Sequence, residues 1–334
     1  MTTHWRTARA FWLREPGVGE IRPITLPEPG PDDVLVRTLW SGISRGTETL
    51  VFRGGVPDDQ HAAMRAPFQQ GEFPAPVKYG YLSVGVVQQG PADLIGRTVF
   101  CLYPHQTEYV VPVPAVLPVP AGVPARRAVL AGTVETAVNA LWDAAPRLGD
   151  RVAVVGAGMV GACVVRLLAQ IPEVQVTLVD VDPQRAEIAA ALGVDFAAPE
   201  AAPTQCDIVV HTSATAAGLQ RSLELLVPDG TVLDLSWYGN APVTLSLGGA
   251  FHSQRLGIRA SQVGTVAAAR RATRTTTDRL RLALRLLRDP AFDVLLTGTS
   301  PFDDLPHLLP KLADGSLPAL CHTIAYGEGV PCSA

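Results

Sequence analysis

The chain has 334 residues, 47% hydrophobic and 17% charged, with a formal net charge of −4 and a pI near 6.0. That length and apolar content suit a two-domain globular protein with a sizeable core. The mildly acidic balance excludes the broad positive field of a nucleic-acid binder. No run of roughly eighteen apolar residues occurs, and the opening MTTHWRTARAFWLREPG lacks a signal-peptide core, so a cytoplasmic location without membrane contact is expected.

From Trp5 to about Val123 the sequence is rich in Pro, Gly and β-formers. DVLVRTLW, YLSVGVV, RTVFCLY and EYVVPV predict short strands separated by turns. Between them, Val51 to Pro76 has little period and predicts a surface loop or short helix able to cover a cleft. From about Ala128 helices and strands alternate: AVLAGTVETAVNALWDA, MVGACVVRLLAQ, PQRAEIAAALG and GLQRSLELL predict helices, while RVAVVG, QVTLVD, DIVVHTSA and TVLDLSW predict strands. Short β-branched runs joined by helices give right-handed crossovers and a parallel sheet covered on both faces. DRLRLALRLLRD predicts an amphipathic helix with Leu280, Ala283, Leu284 and Leu287 inward and its arginines solvated. The remainder returns to strand, short helix and strand. The fold class is therefore α/β, with a β-rich domain over 1–127, a dinucleotide-binding domain over 128–290, and a segment over 291–334 that rejoins the first domain. Cys101, Cys163, Cys206, Cys321 and Cys332 form no C-x-x-C pair and are expected to be reduced, mostly buried thiols.

The strongest motif is RVAVVGAGMVG, in which Gly156, Ala157, Gly158, Met159, Val160 and Gly161 join a strand to a helix. The first glycine permits the tight turn, the second lets a pyrophosphate approach the backbone, and the third lets helix and strand pack closely. A diphosphate would lie at the helix N-terminus, where free N–H groups and the dipole favour negative charge. Asp180 ends the next strand, where a carboxylate accepts from adenosine ribose hydroxyls and repels a 2′-phosphate, so NAD(H) is expected over NADP(H). Arg185 reads either as a helix arginine over the adenine or as a phosphate partner. Ser213 and Ser236, beyond the ends of later strands, complete the expected cofactor-binding set, and Trp237 could frame the nicotinamide pocket with Ser236.

This order of parts resembles the medium-chain dehydrogenase/reductase superfamily, together with EPGPDDVLVRTLWSGIS, GYLSVGVV and PFDDLPHLLPKLADGSLPALCHTIAY. The resemblance implies a chaperonin-10-like catalytic domain, a Rossmann domain with a doubly wound parallel sheet, a substrate cleft between them, and a homodimer formed through the strands around LDLSWYG and IRASQVG. It also implies three positions for catalytic zinc ligands. These hold Ser44, Tyr81 and Gly132 here, with Leu82 in place of an acidic residue and Glu135 near enough to Gly132 for a shifted register. Zinc takes thiolate, imidazole or carboxylate in tetrahedral array, so no metal is expected. The alternative is a rearranged site of His105, Glu48 and Glu135. SGISRGTE, the KYGY turn and the PHQ segment look like a zinc-less branch that includes, more distantly, the hydroxyethyl-bacteriochlorophyllide dehydrogenases.

Without a metal, another group must meet the charge on a substrate oxygen and supply a proton path. Tyr81 can donate a hydrogen bond to a carbonyl, or act as an acid if a cation such as Lys78 lowers its pKa. Lys78, one of two lysines in the chain with Lys311, reads equally as a surface residue. Thr47, offset by Gly46, stands where the resemblance implies a relay hydroxyl. His105 reads either as a general acid/base or as a hydrogen-bonded turn histidine. Glu48 and Glu135 need partners if buried; Arg45 is one, or reaches the cofactor diphosphate. His211 is a cofactor contact or a core histidine, and His252 lines the cleft or the dimer edge. His4, His61, His307 and His322 read as structural or surface. Three functions remain open: a zinc-independent NAD(H) oxidoreductase acting between alcohol and carbonyl on a small molecule, an NAD(P)H-dependent reductase of enone or quinone C=C bonds, or an NAD(H)-binding protein without turnover.

Overall fold

The structure, a computed structural model, describes residues 6–327, so His4, Trp5 and Cys332 lie outside it. It divides into two compact units, one running up to Gly132 and resuming at Leu296, the other covering Thr133–Leu295. The helix Ala131–Ala144 carries the chain across the first division.

In the first unit, the strands Val18–Thr25, Thr7–Glu15, Val77–Lys78 and Gln70–Gly71 form one sheet in that order. A larger sheet is organised around Asp33–Ser44, which pairs antiparallel with Cys321–Ala325, Ser83–Gln89 and Glu108–Pro112. Three neighbours on one long strand leave it buried along most of its length. That is why Ser41 and Ser44, polar residues near its end, are withdrawn from water. Val34, Val36, Val87, Val99, Tyr109 and Val111 pack into the core beside it. The stretch Val51 to Pro76, read as loop or short helix, is mainly loop: the helix Arg45–Phe52 ends at its start, and beyond it come only a turn of 3₁₀ helix over Asp58–Gln60 and the two-residue strand Gln70–Gly71.

The second unit is built on six parallel strands in the order Asp195–Ala197, Gln175–Val179, Arg151–Val155, Ile208–His211, Thr231–Asp234 and Gly257–Ala260. The first strand in sequence is third in space and the chain winds outward from it both ways, the doubly wound pattern with a crevice where the direction reverses. Its central strands are short β-branched runs whose residues are almost all buried, as two covered faces require. The helix Met159–Leu168 buries most of its side chains against them. Thr276–Leu286 begins with a capping box of Thr275 and Asp278, and Leu280, Ala283, Leu284 and Leu287 are buried as the period predicts. Arg279 corrects that reading, because it is buried with them.

Among the described residues Cys101, Cys163, Cys206 and Cys321 are free and buried, and no helix is long and apolar enough to cross a membrane.

Candidate active site

The glycine turn of the second unit is shaped by contacts that admit no side chain. Gly156 takes φ +111°, and a Cβ there would lie 2.7 Å from the backbone nitrogen of Ser213. A Cβ on Gly161 would lie 2.0 Å from the carbonyl oxygen of Gly156, so this glycine sets the closeness of helix and turn. Gly158 differs: it is the extended N-cap of the helix, with open space where a Cβ would stand. Met159 is buried with its sulfur accepting from the Thr133 hydroxyl at 3.6 Å, while Val160 is half-buried in the first turn. Asp180 closes the arrangement by accepting from the Ala157 N–H at 2.6 Å and the Asp182 N–H at 2.9 Å. Arg185 pairs with Asp182 at 3.2 Å. Backbone N–H groups at a helix start, with a carboxylate at the end of the next strand, suit a dinucleotide's diphosphate and adenosine ribose.

Ser213 and Ser236 meet His211 beyond the neighbouring strand ends. The Ser213 hydroxyl is 2.7 Å from His211 Nε2, and the Ser236 hydroxyl accepts from the Ala214 N–H at 3.1 Å. Asp234, beside His211 in the parallel register, was not singled out in the sequence. Burial pulls its carboxyl upward, but hydrogen bonds from His211, the Ser236 N–H and Tyr238 outweigh this and hold it below the ordinary carboxylate range. The available signal was a polar residue ending each of two apolar runs, VVH and VLD.

In the first unit, Ser44, Thr47, Glu48, Tyr81 and His105 gather at the start of the Arg45–Phe52 helix. Ser44 is its N-cap, and its N–H donates to Glu48 Oε1 at 2.8 Å. Glu48 Oε2 lies 2.8 Å from His105 Nε2, and His105 Nδ1 lies 2.7 Å from Ser41 Oγ, which meets the Tyr326 hydroxyl at 2.9 Å. Ser41, Ser44, Glu48, His105 and Tyr326 are buried, while Thr47 and Tyr81 are half-buried. Backbone hydrogen bonds fix the histidine's segment: Phe11 N–H donates to the His105 carbonyl, and Thr107 N–H to the Arg9 carbonyl. Gly80, at φ +123°, lets the KYGY turn approach the ring, since a Cβ there would stand 3.0 Å from His105 Cδ2. Ser41 and Tyr326 were not legible as partners because they lie far from His105 in sequence.

The hydroxyls of Ser44 and Thr47 lie near the Tyr81 phenol and pull its pKa downward. Burial, with the nearby Glu48 charge, outweighs them and pushes it up to about 12. This corrects the expectation of a lowered pKa. Lys78 is fully buried, which corrects its reading as a surface residue. Its amine donates to Gln106 Oε1 at 2.7 Å and to the Tyr103 hydroxyl at 3.4 Å, and burial pushes it down to about 8. It therefore serves Gln106 and is not the cation proposed for Tyr81. Glu135 is corrected too: its carboxylate pairs with the buried Arg279 at 3.0 Å, and the guanidinium also donates to Asn139 Oδ1 and to the carbonyls of Thr265 and Val263. That engagement leaves it no role as an acid or base. Arg45 opens the helix, half-buried.

The residues at the expected metal positions do not fit zinc. Ser44 and Tyr81 offer hydroxyls, and Gly132 offers no side-chain donor. A Cβ on Gly132 would meet Leu82 Cδ2 at 2.6 Å, with Leu102 and Phe100 behind it, so the third position is filled by hydrocarbon. Among the described residues no group of three or more His, Cys, Asp or Glu side chains could hold a metal.

No family model and no curated protein matches the chain. Solved structures resemble it in fold. L-idonate 5-dehydrogenase from Escherichia coli superposes with a TM-score of 0.78 at 15% identity, over 96% of this chain and 99% of that one. 2R,3R-butanediol dehydrogenase from Bacillus subtilis gives 0.76 at 15% identity, over 96% of this chain and 100% of that one. Acetophenone reductase from Geotrichum candidum, in complex with NAD, gives 0.76 at 17% identity, over 97% of this chain and 98% of that one. The chain shares the two-part α/β fold of these solved dehydrogenases and reductases.

Proposed function

We propose that this protein is a zinc-independent, NAD(H)-dependent oxidoreductase that interconverts an alcohol and a carbonyl on a small organic molecule. The observation that carries the reading is that three hydroxyls, Tyr81, Ser44 and Thr47, stand near one another at the start of the Arg45–Phe52 helix, two of them at positions where the resemblance puts metal ligands. The glycine turn with Asp180 at its edge supports a dinucleotide, and the carboxylate favours NAD(H) by repelling a 2′-phosphate. The neighbours named for polyol, diol and ketone chemistry support the substrate class. Once bound, the nicotinamide supplies or accepts the hydride.

The chain's own part is the oxygen and its proton. A phenol at about 12 stays protonated at neutral pH and remains a hydrogen-bond donor. Proton transfer from it to a developing alkoxide runs downhill, and the hydroxyls of Ser44 and Thr47 lead the replacement proton back. Glu48 disfavours the tyrosinate and so keeps Tyr81 in its donating form. His105, held between Glu48 and Ser41, fixes the carboxylate from behind. The SGISRGTE loop supports membership of the zinc-less branch noted above. A homodimer would extend the parallel sheet at its edge strand Gly257–Ala260, where Ile258 is exposed.

The test is a titration with NADH and NADPH, elemental analysis, and turnover with ketones, secondary alcohols and enones. NADH-selective binding and ketone reduction without zinc are expected, and Tyr81→Phe should cut kcat about 10²- to 10⁴-fold with NADH binding unchanged. NADPH selectivity overturns the cofactor assignment, and stoichiometric zinc overturns the metal-free site. Turnover of enones alone favours C=C reduction, and NADH binding with no turnover favours a non-catalytic protein.

A further inference from the structure

The carboxyl edge of the parallel sheet holds a second chain of polar groups, whose donors and acceptors can be assigned in order. Asp234 accepts from His211 Nδ1, from the Ser236 N–H and from the Tyr238 hydroxyl, each at 2.9 Å. Three donors on one carboxyl group favour its ionised form, which only accepts. Of the two tautomers of the imidazole, the one with its proton on Nδ1 donates to that carboxylate, and the hydroxyls of Ser236 and Tyr238 also stand near Nδ1 at 3.1 and 3.2 Å. Nε2 is left as an acceptor, and its partner is Ser213 Oγ at 2.7 Å. Ser213 therefore spends its only proton on the ring.

The other side of Ser213 can be assigned as well. Thr215 Oγ1 accepts from the Gly218 N–H at 3.0 Å and lies 2.9 Å from Ser213 Oγ, so its own proton can go to Ser213. A hydroxyl oxygen has two lone pairs, which leaves one unfilled on a partly exposed residue. Gly218 makes room for the arrangement: a Cβ there would lie 2.2 Å from Ser213 Oγ and 3.0 Å from His211 Nε2.

Strand order indicates what that lone pair faces. The strand leading to Asp180 lies on one side of Arg151–Val155, which runs into the glycine turn, and the strand ending at His211 lies on the other. A dinucleotide with its diphosphate on that turn and its adenosine at Asp180 carries its second nucleoside toward His211 and Ser213. From this we infer that Ser213 accepts a hydrogen bond from an N–H or O–H donor of the nicotinamide nucleoside, with His211 and Asp234 as the positioning residues that fix it as an acceptor. The inference rests on the NAD(H) reading above.

The test is equilibrium binding of ADP, ADP-ribose, NADH and the reduced 3-acetylpyridine analogue, which carries a methyl ketone in place of the carboxamide, to the full-length protein. Ser213→Ala should weaken NADH about tenfold, leave ADP unchanged, and be rescued by Ser213→Thr. Asp234→Asn should lose a similar factor, because an amide donating to Nδ1 turns Nε2 into a donor toward Ser213. A loss confined to NADH assigns the donor to the carboxamide, and a loss shared by ADP-ribose assigns it to the ribose. Unchanged NADH affinity in Ser213→Ala overturns the inference and leaves the cofactor reading standing. Equal losses for ADP and NADH mark a merely structural role and also overturn it. A wild-type protein that does not bind NADH overturns both.

Discussion

Each unit of this molecule contains a serine, a histidine and a carboxylate in hydrogen-bonded sequence, and the two sets are wired in opposite senses. In the β-rich unit the imidazole turns Nδ1 to Ser41 and Nε2 to Glu48. In the dinucleotide-type unit Nδ1 faces Asp234 and Nε2 faces Ser213. Ser41 is 1% exposed and meets Tyr326 on its far side, so its hydroxyl is enclosed by protein, whereas Ser213 stands partly exposed beyond a strand end. The same three groups can thus brace a core or hold a surface atom in a chosen polarity. The difference lies in where the sheet puts the serine.

That contrast predicts large stability effects from covered groups and small ones from the exposed serine. The largest is expected for Arg279→Leu, which leaves Glu135 buried without its cation and should cost about 3–5 kcal/mol in urea unfolding. A loss below about 1 kcal/mol would mean that the pair is not held as described. Glu48→Ala comes next, at about 3 kcal/mol, because it strips the acceptor from both His105 and the Ser44 N–H away from water. Ser213→Ala should cost less than about 1 kcal/mol, and equal losses in these two variants would erase the distinction between the relays.

Lys78 sharpens the comparison through pH. Its pKa falls from 10.5 in the unfolded chain to about 8, so the unfolded state binds more protons between those values and stability rises with pH across that window. Below about pH 8 the full penalty applies, about 3 kcal/mol at 1.36 kcal/mol per pH unit. Lys78→Met removes the penalty but strands Gln106 Oε1, so a net gain of about 1–2 kcal/mol is expected at pH 7. Denaturation curves for the two proteins should lose that gain as the pH is raised from 8 to 10.5. A difference that does not change with pH would show that the amine is not the source.

What the sequence revealed and what it withheld follow from distance along the chain. The glycine turn and Asp180 were legible because a strand, a turn and a helix read locally, and Gly156 and Gly161 each answer a nearby backbone atom. The inward face of Thr276–Leu286 was legible from its period, but Arg279 was not, since its partners Glu135 and Asn139 lie on another helix. His105 was singled out for its type alone, while Ser41 and Tyr326 become its neighbours only through pairing of the large sheet. Asp234 joins His211 by parallel register, a property of two strands together. Lys78 stood open between a surface residue and a cation for Tyr81 because a strand start looks like surface until the neighbouring Gln106 covers it.

Asp180 has a consequence for anyone wishing to redirect the coenzyme. Its two oxygens already clasp the N–H groups of Ala157 and Asp182, so the residue read as repelling a 2′-phosphate also fastens the phosphate-binding turn. Exchanging it for a small neutral residue would loosen that fastening while removing the repulsion. Selectivity and turn rigidity are inherited together here, and a variant accepting NADPH would need a new clasp for Ala157 as well as a new pocket.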